Sequence, residues 1–404
     1  YYSQASLISG FDFETGKITY QKIVGKESHI ANLYSVWADG YELVCSANHR
    51  LFTLNQNGIV EILVKDLKPG DFVLGVNKVN FVGKKFVDPE ISRLIGYILG
   101  DGVVSKARRG VIIHDKDKKN LEFYLNIIKN KLSGQAKIDK STESNSFKLT
   151  YYSGQFVNFL HEVGLTEISK NKRVPHQILN SNIEEIKQFL AGIYDAEGNS
   201  FDAPRYFSSS KDLLKDLQMM LLRLGIDAHL LMRDRKVILP QGKLFKHKFY
   251  TLHVIGKKDQ EKFLKIIPTL KFDTLKTVGV WKEEKIPVNK ILAAIYSDLE
   301  NDGQRGFRYA MQTNEGIKSD RYLKEMIPLR STVTKYLRQF KKFGYKDKKL
   351  EILKNIYKNK QYKWLEVKKN IRLPSPRNTV FDFTVSPNEN LITDGFVSHN
   401  SFAT

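Results

Sequence analysis

The chain has 404 residues, 41% of them hydrophobic, and carries 65 Lys plus Arg against 44 Asp plus Glu for a net charge of +21. That length exceeds what one compact core holds and predicts two or three domains, and the positive surplus points to a polyanionic partner, nucleic acid first. The single cysteine, Cys45, excludes disulfide stapling and thiolate metal sites within the chain; no apolar stretch is long enough for a membrane span and no charged-then-apolar leader is present, which predicts a cytoplasmic protein with no membrane partner.

The first predicted elements are strands. Leu43 to Thr53 carries Ser46 and His49 beside a hydrophobic run, and Lys65 to Val73 places a Pro69-Gly70 turn between two strands. Two copies of one pattern follow, Leu94-Ile95-Gly96-Tyr97-Ile98-Leu99-Gly100-Asp101-Gly102 and Leu190-Ala191-Gly192-Ile193-Tyr194-Asp195-Ala196-Glu197-Gly198. Each reads as an apolar helix with a glycine at its third position. Small residues let two helices pack backbone to backbone, which would carry Asp101 and Glu197 to one place. Adjacent carboxylates repel, and a bridging divalent cation relieves the repulsion. Mg²⁺, or Mn²⁺, suits hard oxygen ligands and phosphodiester chemistry.

The segments after each copy repeat too, and both halves read α-β-β-α-β-β-α. The stretch around Gln241-Gly242 reads equally as a loop. Between about residues 286 and 362, Val333, Tyr336, Leu337, Phe340 and Phe343 form an apolar stripe at helical spacing, with Lys335, Arg338, Lys341 and Lys342 on other faces. A second helix runs through Leu350, Leu353, Ile356 and Tyr357. This pair is either a DNA-binding module or a packing spacer with a solvated basic face.

The chain closes on Val380-Phe381-Asp382-Phe383-Thr384-Val385 and Val397-Ser398-His399-Asn400-Ser401. The Asn400 side-chain amide can attack its own carbonyl and form a succinimide, releasing whatever follows. His399 can protonate the departing amine or polarise the scissile carbonyl, and the Ser401 hydroxyl can carry an acyl group.

Val380 to Ser401 resembles the C-terminal splicing motif of an intein, with Asp382 at the acidic position and Glu389 where the family often has histidine. Leu43 to Thr53 resembles the intein Thr-x-x-His motif, with Ser46 at the threonine position and His49 as its histidine. The resemblance implies that His49 hydrogen-bonds the upstream scissile amide. It implies a first residue at Ala5, with Ser6 as runner-up. Alanine has no nucleophile, so either an engineered block or a natural Ala-initiated class is implied, with Tyr1 to Gln4 and Ser401 to Thr404 as extein stubs.

The paired helices resemble a monomeric LAGLIDADG homing endonuclease, a pseudo-dimer that binds double-stranded DNA. This implies metal ligation by Asp101 and Glu197. It further implies a lysine beside the metal in each half: Lys172, and Lys276 with Lys271 as the alternative. The whole then resembles an archaeal-type intein with an inserted endonuclease. Its expected fold is multidomain: an all-β, horseshoe-like Hint splicing domain (5–90 and 361–400), an α+β LAGLIDADG endonuclease (91–284) of two αββαββα halves, and a small helical accessory domain (285–360). The exteins act in cis, splicing needs no cofactor, and the chain is expected to be a monomer. The alternative is a splicing element whose nuclease is inactive and only binds DNA.

Overall fold

The computed structural model describes residues 7–141, 145–165, 170–198, 203–238, 244–271, 283–301, 306–317, 326–374 and 378–400. Two compact units emerge: residues 81–282 form one, and the flanking residues to either side of it form the other. The first boundary falls before the expected residue 90. Glu185 explains why: fully buried, it accepts hydrogen bonds from the Phe86 and Val87 amides, and the Arg223 guanidinium stacks 3.8 Å over Phe81. On the other side, Asn80 is held by Ser9 and by the Ile18 carbonyl.

The N-terminal flank is a run of strands: β1 (Leu7–Asp12), β2 (Lys17–Ala31), β3 (Leu33–Ala38), β4 (Tyr41–Ser46), β5 (Arg50–Asn55), β6 (Gly58–Leu63) and β7 (Phe72–Val76). Asp39 and Gly40 connect β3 to β4 with φ of 41° and 79°. A two-residue hairpin turn with both φ positive suits the twist of paired strands, and Asp-Gly is a favoured pair for it.

The unit of residues 81–282 begins with α1 (Pro89–Asp101), β8 (Gly102–Ser105), β9 (Gly110–Asp115), α2 (Lys118–Lys131), β10 (Gln135–Lys140), β11 (Phe147–Tyr152) and α3 (Gly154–Glu162). This is the expected αββαββα order, with sheet order β10-β11-β9-β8. After a short α4 (His176–Leu179) come α5 (Ile183–Glu197), β12 (Arg205–Ser208), α6 (Lys211–Arg223), β13 (Ala228–Ile238), β14 (Leu244–Val254) and α7 (Lys257–Ile266). Here the described residues hold one strand before α6 instead of the expected two, and the sheet is β12-β14-β13. Residues 241 and 242 lie outside the described residues.

Helices α1 and α5 are the core of this unit. Asp88 caps α1 by accepting from the Glu90 amide, with Pro89 at the first helical position; Asn182 caps α5 by accepting from the Glu184 and Glu185 amides. Their glycines are where the backbones meet. A Cβ on Gly192 would stand 1.9 Å from the Arg93 carbonyl oxygen, and one on Gly96 would stand 2.3 Å from the Phe189 carbonyl oxygen. No larger residue fits at either position without parting the helices.

The C-terminal flank supplies α8 (Asn289–Asn301), α9 (Gly306–Glu315) and two further helices, Arg330–Lys342 and Lys348–Lys358. Val333, Tyr336 and Phe340 are fully buried, and Phe340 stacks on Phe307 at 5.3 Å. The apolar stripe is thus a packing face. These helices join the flanking unit, through contacts such as Asn359 Nδ2 donating to the Gly16 carbonyl.

The chain ends in β15 (Tyr362–Arg372), β16 (Asn378–Ser386), β17 (Asn390–Thr393) and β18 (Phe396–His399). One sheet is β1-β2-β16; the other runs β4-β3-β15-β7-β18-β5-β6, with β17 paired to β18. In both, C-terminal strands pair with N-terminal ones. Neither flank can complete its hydrogen bonding without the other.

Candidate functional site

The β17–β18 hairpin turns at Asp394 and Gly395, with φ of 48° and 87°. That turn sets Asn390 opposite His399 and Ser398 opposite Leu51 of β5. The hairpin is bolted to β1 by the buried Asn390 side chain: Oδ1 accepts from the Phe11 amide at 2.6 Å, and Nδ2 donates to the Phe11 carbonyl at 2.7 Å.

His399 and Asn400 sit at the end of this hairpin. His399 Nδ1 is 2.5 Å from the Asn400 carbonyl oxygen. Its Nε2 lies 3.5 Å from Glu61 Oε1 and 3.6 Å from Glu389 Oε2. Asn400 is 2% exposed; its amide donates to the Glu389 carbonyl at 3.0 Å, and neither Nδ2 nor Oδ1 of its side chain has a hydrogen-bond partner among the described residues. A buried amide group without partners is costly.

His49 belongs to the same neighbourhood. Its amide donates to the Ser46 carbonyl, and its carbonyl accepts from the Val64 amide. Burial, reinforced by the nearby His399 ring, holds its imidazole down to about 4, so it is neutral at neutral pH. The ring of Phe52 lies 6.4 Å from that of His399. The structure therefore brings His49, His399 and Asn400 together across the two flanks. Asp382 is placed on β16 in the smaller sheet, where Oδ2 stands 3.3 Å from His29 Nδ1. Ala5, Ser6 and Ser401 lie outside the described residues.

The second cluster is at the C-terminal ends of α1 and α5. A Cβ on Gly100 would meet Ala196 at 2.6 Å and Glu197 Cγ at 3.3 Å, which shows how closely the two ends approach. Burial raises both carboxyls above their ordinary values, and Asp101 raises Glu197 further. Lys172 Nζ donates to the Gly100 carbonyl at 2.8 Å, and Lys271 Nζ donates to the Gly198 carbonyl at 2.9 Å. Burial lowers both ammonium groups, while the neighbouring carboxylates oppose the shift. Lys276 lies outside the described residues; Lys271, the alternative, is the second lysine seen at the cluster.

No group of three or more His, Cys, Asp and Glu side chains suited to a metal ion occurs among the described residues. The donor set at this cluster is two carboxylates, with Asp101 raising the proton affinity of Glu197, and backbone carbonyls beside them. That fits a hard divalent cation completing its shell with water and phosphate oxygens. Sequence reasoning missed Asn390, Glu61 and Asp195 as parts of these sites, and nothing local pointed to the first two. For Asp195 a signal existed: it occupies the place of Leu99 in the first copy.

Strands from both ends converge on a buried asparagine, and a helix-paired α+β unit lies between them in the chain; such a molecule is a β domain interrupted by a second unit. The chain matches the family model for the intein splicing domain over residues 8–400 and belongs to that family.

Among curated relatives, it is 23% identical over 295 residues to the ribonucleoside-diphosphate reductase NrdEB subunit alpha of Bacillus subtilis, covering 65% of this chain and 27% of that protein. It is 27% identical over 201 residues to transcription initiation factor IIB of Methanocaldococcus jannaschii, covering 49% of this chain and 28% of that one. The chain thus spans little more than a quarter of the length of these relatives. Among solved structures, I-DmoI in complex with DNA and Mn aligns with a TM-score of 0.34 and 21% identity, covering 44% of this chain and 96% of that one. Full-length DUF199/WhiA from Thermatoga maritima aligns with a TM-score of 0.31 and 18% identity, covering 68% of this chain and 92% of that one.

Proposed function

We propose that this chain is a splicing element that excises itself from a host protein and carries a site-specific double-strand DNA endonuclease. The observation that carries the splicing reading is the buried Asn400 side chain beside its own carbonyl, with His399 Nδ1 on that carbonyl oxygen. Nδ2 attacks the carbonyl carbon and gives up a proton, the C–N bond to Ser401 breaks, and the leaving nitrogen takes a proton to become a free amine. His399 polarises the carbonyl at the start of this step. Upstream, neutral His49 would hydrogen-bond the scissile amide while residue 5 takes the acyl group; Ala5 supplies no side chain for this, so the first acyl shift is blocked in this chain. With a nucleophile there, the order is acyl shift, transfer to Ser401, cyclisation of Asn400 and an O-to-N shift.

The paired carboxylates support the nuclease. Asp101 and Glu197 would hold a divalent cation, which supplies charge stabilisation at the phosphate when bound. Lys172 and Lys271 stand ready to hold the attacking water or to counter charge gathering on phosphate. The net charge of +21 favours a DNA partner. We place the protein in the cytoplasm, as a monomer.

Mass spectrometry of the Ala5→Cys chain tests the splicing register. The expected products are a joined Tyr-Tyr-Ser-Gln-Ser-Phe-Ala-Thr peptide and a protein running from residue 5 to Asn400. An intact precursor would place the first residue elsewhere.

A further inference from the structure

The two lysines at the carboxylate cluster are held in place by different means. Asp195 has a completely buried side chain, and each of its oxygens takes two hydrogen bonds. Oδ2 accepts from Arg93 Nη2 at 2.7 Å and from the Tyr124 hydroxyl at 2.9 Å. Oδ1 accepts from Thr269 Oγ1 at 2.5 Å and from the Leu270 amide at 2.8 Å. The Lys271 amide then donates to Thr269 Oγ1 at 3.1 Å, and its Nζ reaches the Gly198 carbonyl. A buried carboxylate is tolerated only with such full pairing, so segment 269–271 cannot leave without stranding the charge.

In the first copy the matching position is Leu99, buried and apolar. Lys172 is anchored instead from α6. Its carbonyl accepts from Ser210 Oγ at 2.6 Å, and the adjacent Arg173 forks onto Asp216 with two contacts of 2.7 Å. Asp216 also accepts from the Val174 amide.

We propose that Asp195 is the positioning residue for Lys271, acting through Thr269 and Leu270, so that the two strands of a DNA substrate depend on separately anchored lysines. Asp195 is completely buried with both oxygens fully paired, so its role is to position and not to contact a substrate or metal. Loss of its grip withdraws Lys271 and leaves Lys172 in place, which converts a double-strand cutter into one that nicks. The proposal rests on the nuclease reading above.

Two variants test it. Arg93→Leu combined with Asp195→Leu removes both members of the buried pair, so no charge is stranded; Thr269→Val deletes only the linking hydroxyl. The first readout is amide hydrogen exchange on the metal-free, DNA-free protein. Exchange at Leu270 and Lys271 is expected to accelerate by about tenfold or more, while that at residues 172–174 stays unchanged. The second is cleavage of a supercoiled plasmid that the unaltered protein cuts. One strand is expected to be cut about tenfold more slowly than the other, so the nicked circle accumulates. Unchanged exchange at Leu270 and Lys271, or equal slowing of both strands, overturns the proposal. If the unaltered protein cuts no DNA, the nuclease reading fails, and the exchange experiment still decides the anchor.

Discussion

His399 Nδ1 and the Asn400 carbonyl oxygen stand 2.5 Å apart, in adjacent residues of a strand end whose far side is bolted to β1. That contact is made by the ring, so His399→Ala removes it and leaves the hairpin. Release of the segment after Asn400 is expected to slow by about a hundredfold or more, as when a positioned acid is lost. Glu61 and Glu389 hold the other side of the ring, and Glu61→Gln with Glu389→Gln is expected to slow release less than His399→Ala. Release rates from gel or mass analysis check both.

Asp101→Asn and Glu197→Gln should each abolish double-strand cutting, because each removes a charged oxygen ligand from a two-carboxylate set. DNA affinity measured with EDTA present is expected to stay within about threefold, since both carboxylates are assigned to cutting and phosphate binding is left to the basic surface. Cutting that survives Asp101→Asn would remove that residue from the site.

Gly192→Ala places a methyl carbon where the Arg93 carbonyl oxygen stands 1.9 Å away, and backbone cannot rotate aside as a side chain can. A destabilisation of about 2–4 kcal/mol is expected from the forced separation of α1 and α5. Urea unfolding of the variant checks it. Gly164→Ala serves as a comparison: it has no neighbour within 4 Å and a φ of 90°, so it should be strained by its backbone conformation alone.

His49 sets a pH dependence. Its folded value of about 4 lies below the 6.5 of a free imidazole, so between these values the unfolded chain binds the extra proton. The stability this provides is complete above pH 6.5 and is lost as pH falls toward 4. It amounts to about 3 kcal/mol at most. Urea titrations from pH 7 to pH 4 should show a shallower loss for His49→Gln than for the unaltered chain.

Much of this was legible in the sequence because the carriers are local. A glycine third in each copy of the repeated pattern announces close helix contact, and His399-Asn400-Ser401 announces its chemistry in three residues. The residues that escaped notice act over distance. Asn390 matters because a hairpin turn carries it to Phe11, at the other end of the chain. In the sequence Lys271 stands only as the alternative to Lys276; the anchor of Thr269 on Asp195 beside it is a tertiary fact. The boundary near residue 80 was likewise set by the buried Glu185, which binds backbone amides far earlier in the chain. The basic helix Arg330–Lys342 showed its apolar stripe plainly, and its packing partner Phe307 only in three dimensions.

The most direct test of the splicing account is mass spectrometry of the chain incubated at neutral pH, beside its Asn400→Ala variant. The account predicts slow release of the Ser401 to Thr404 peptide from the first, with Asn400 left as a cyclic imide, and none from the second. Release that continues in Asn400→Ala would contradict it.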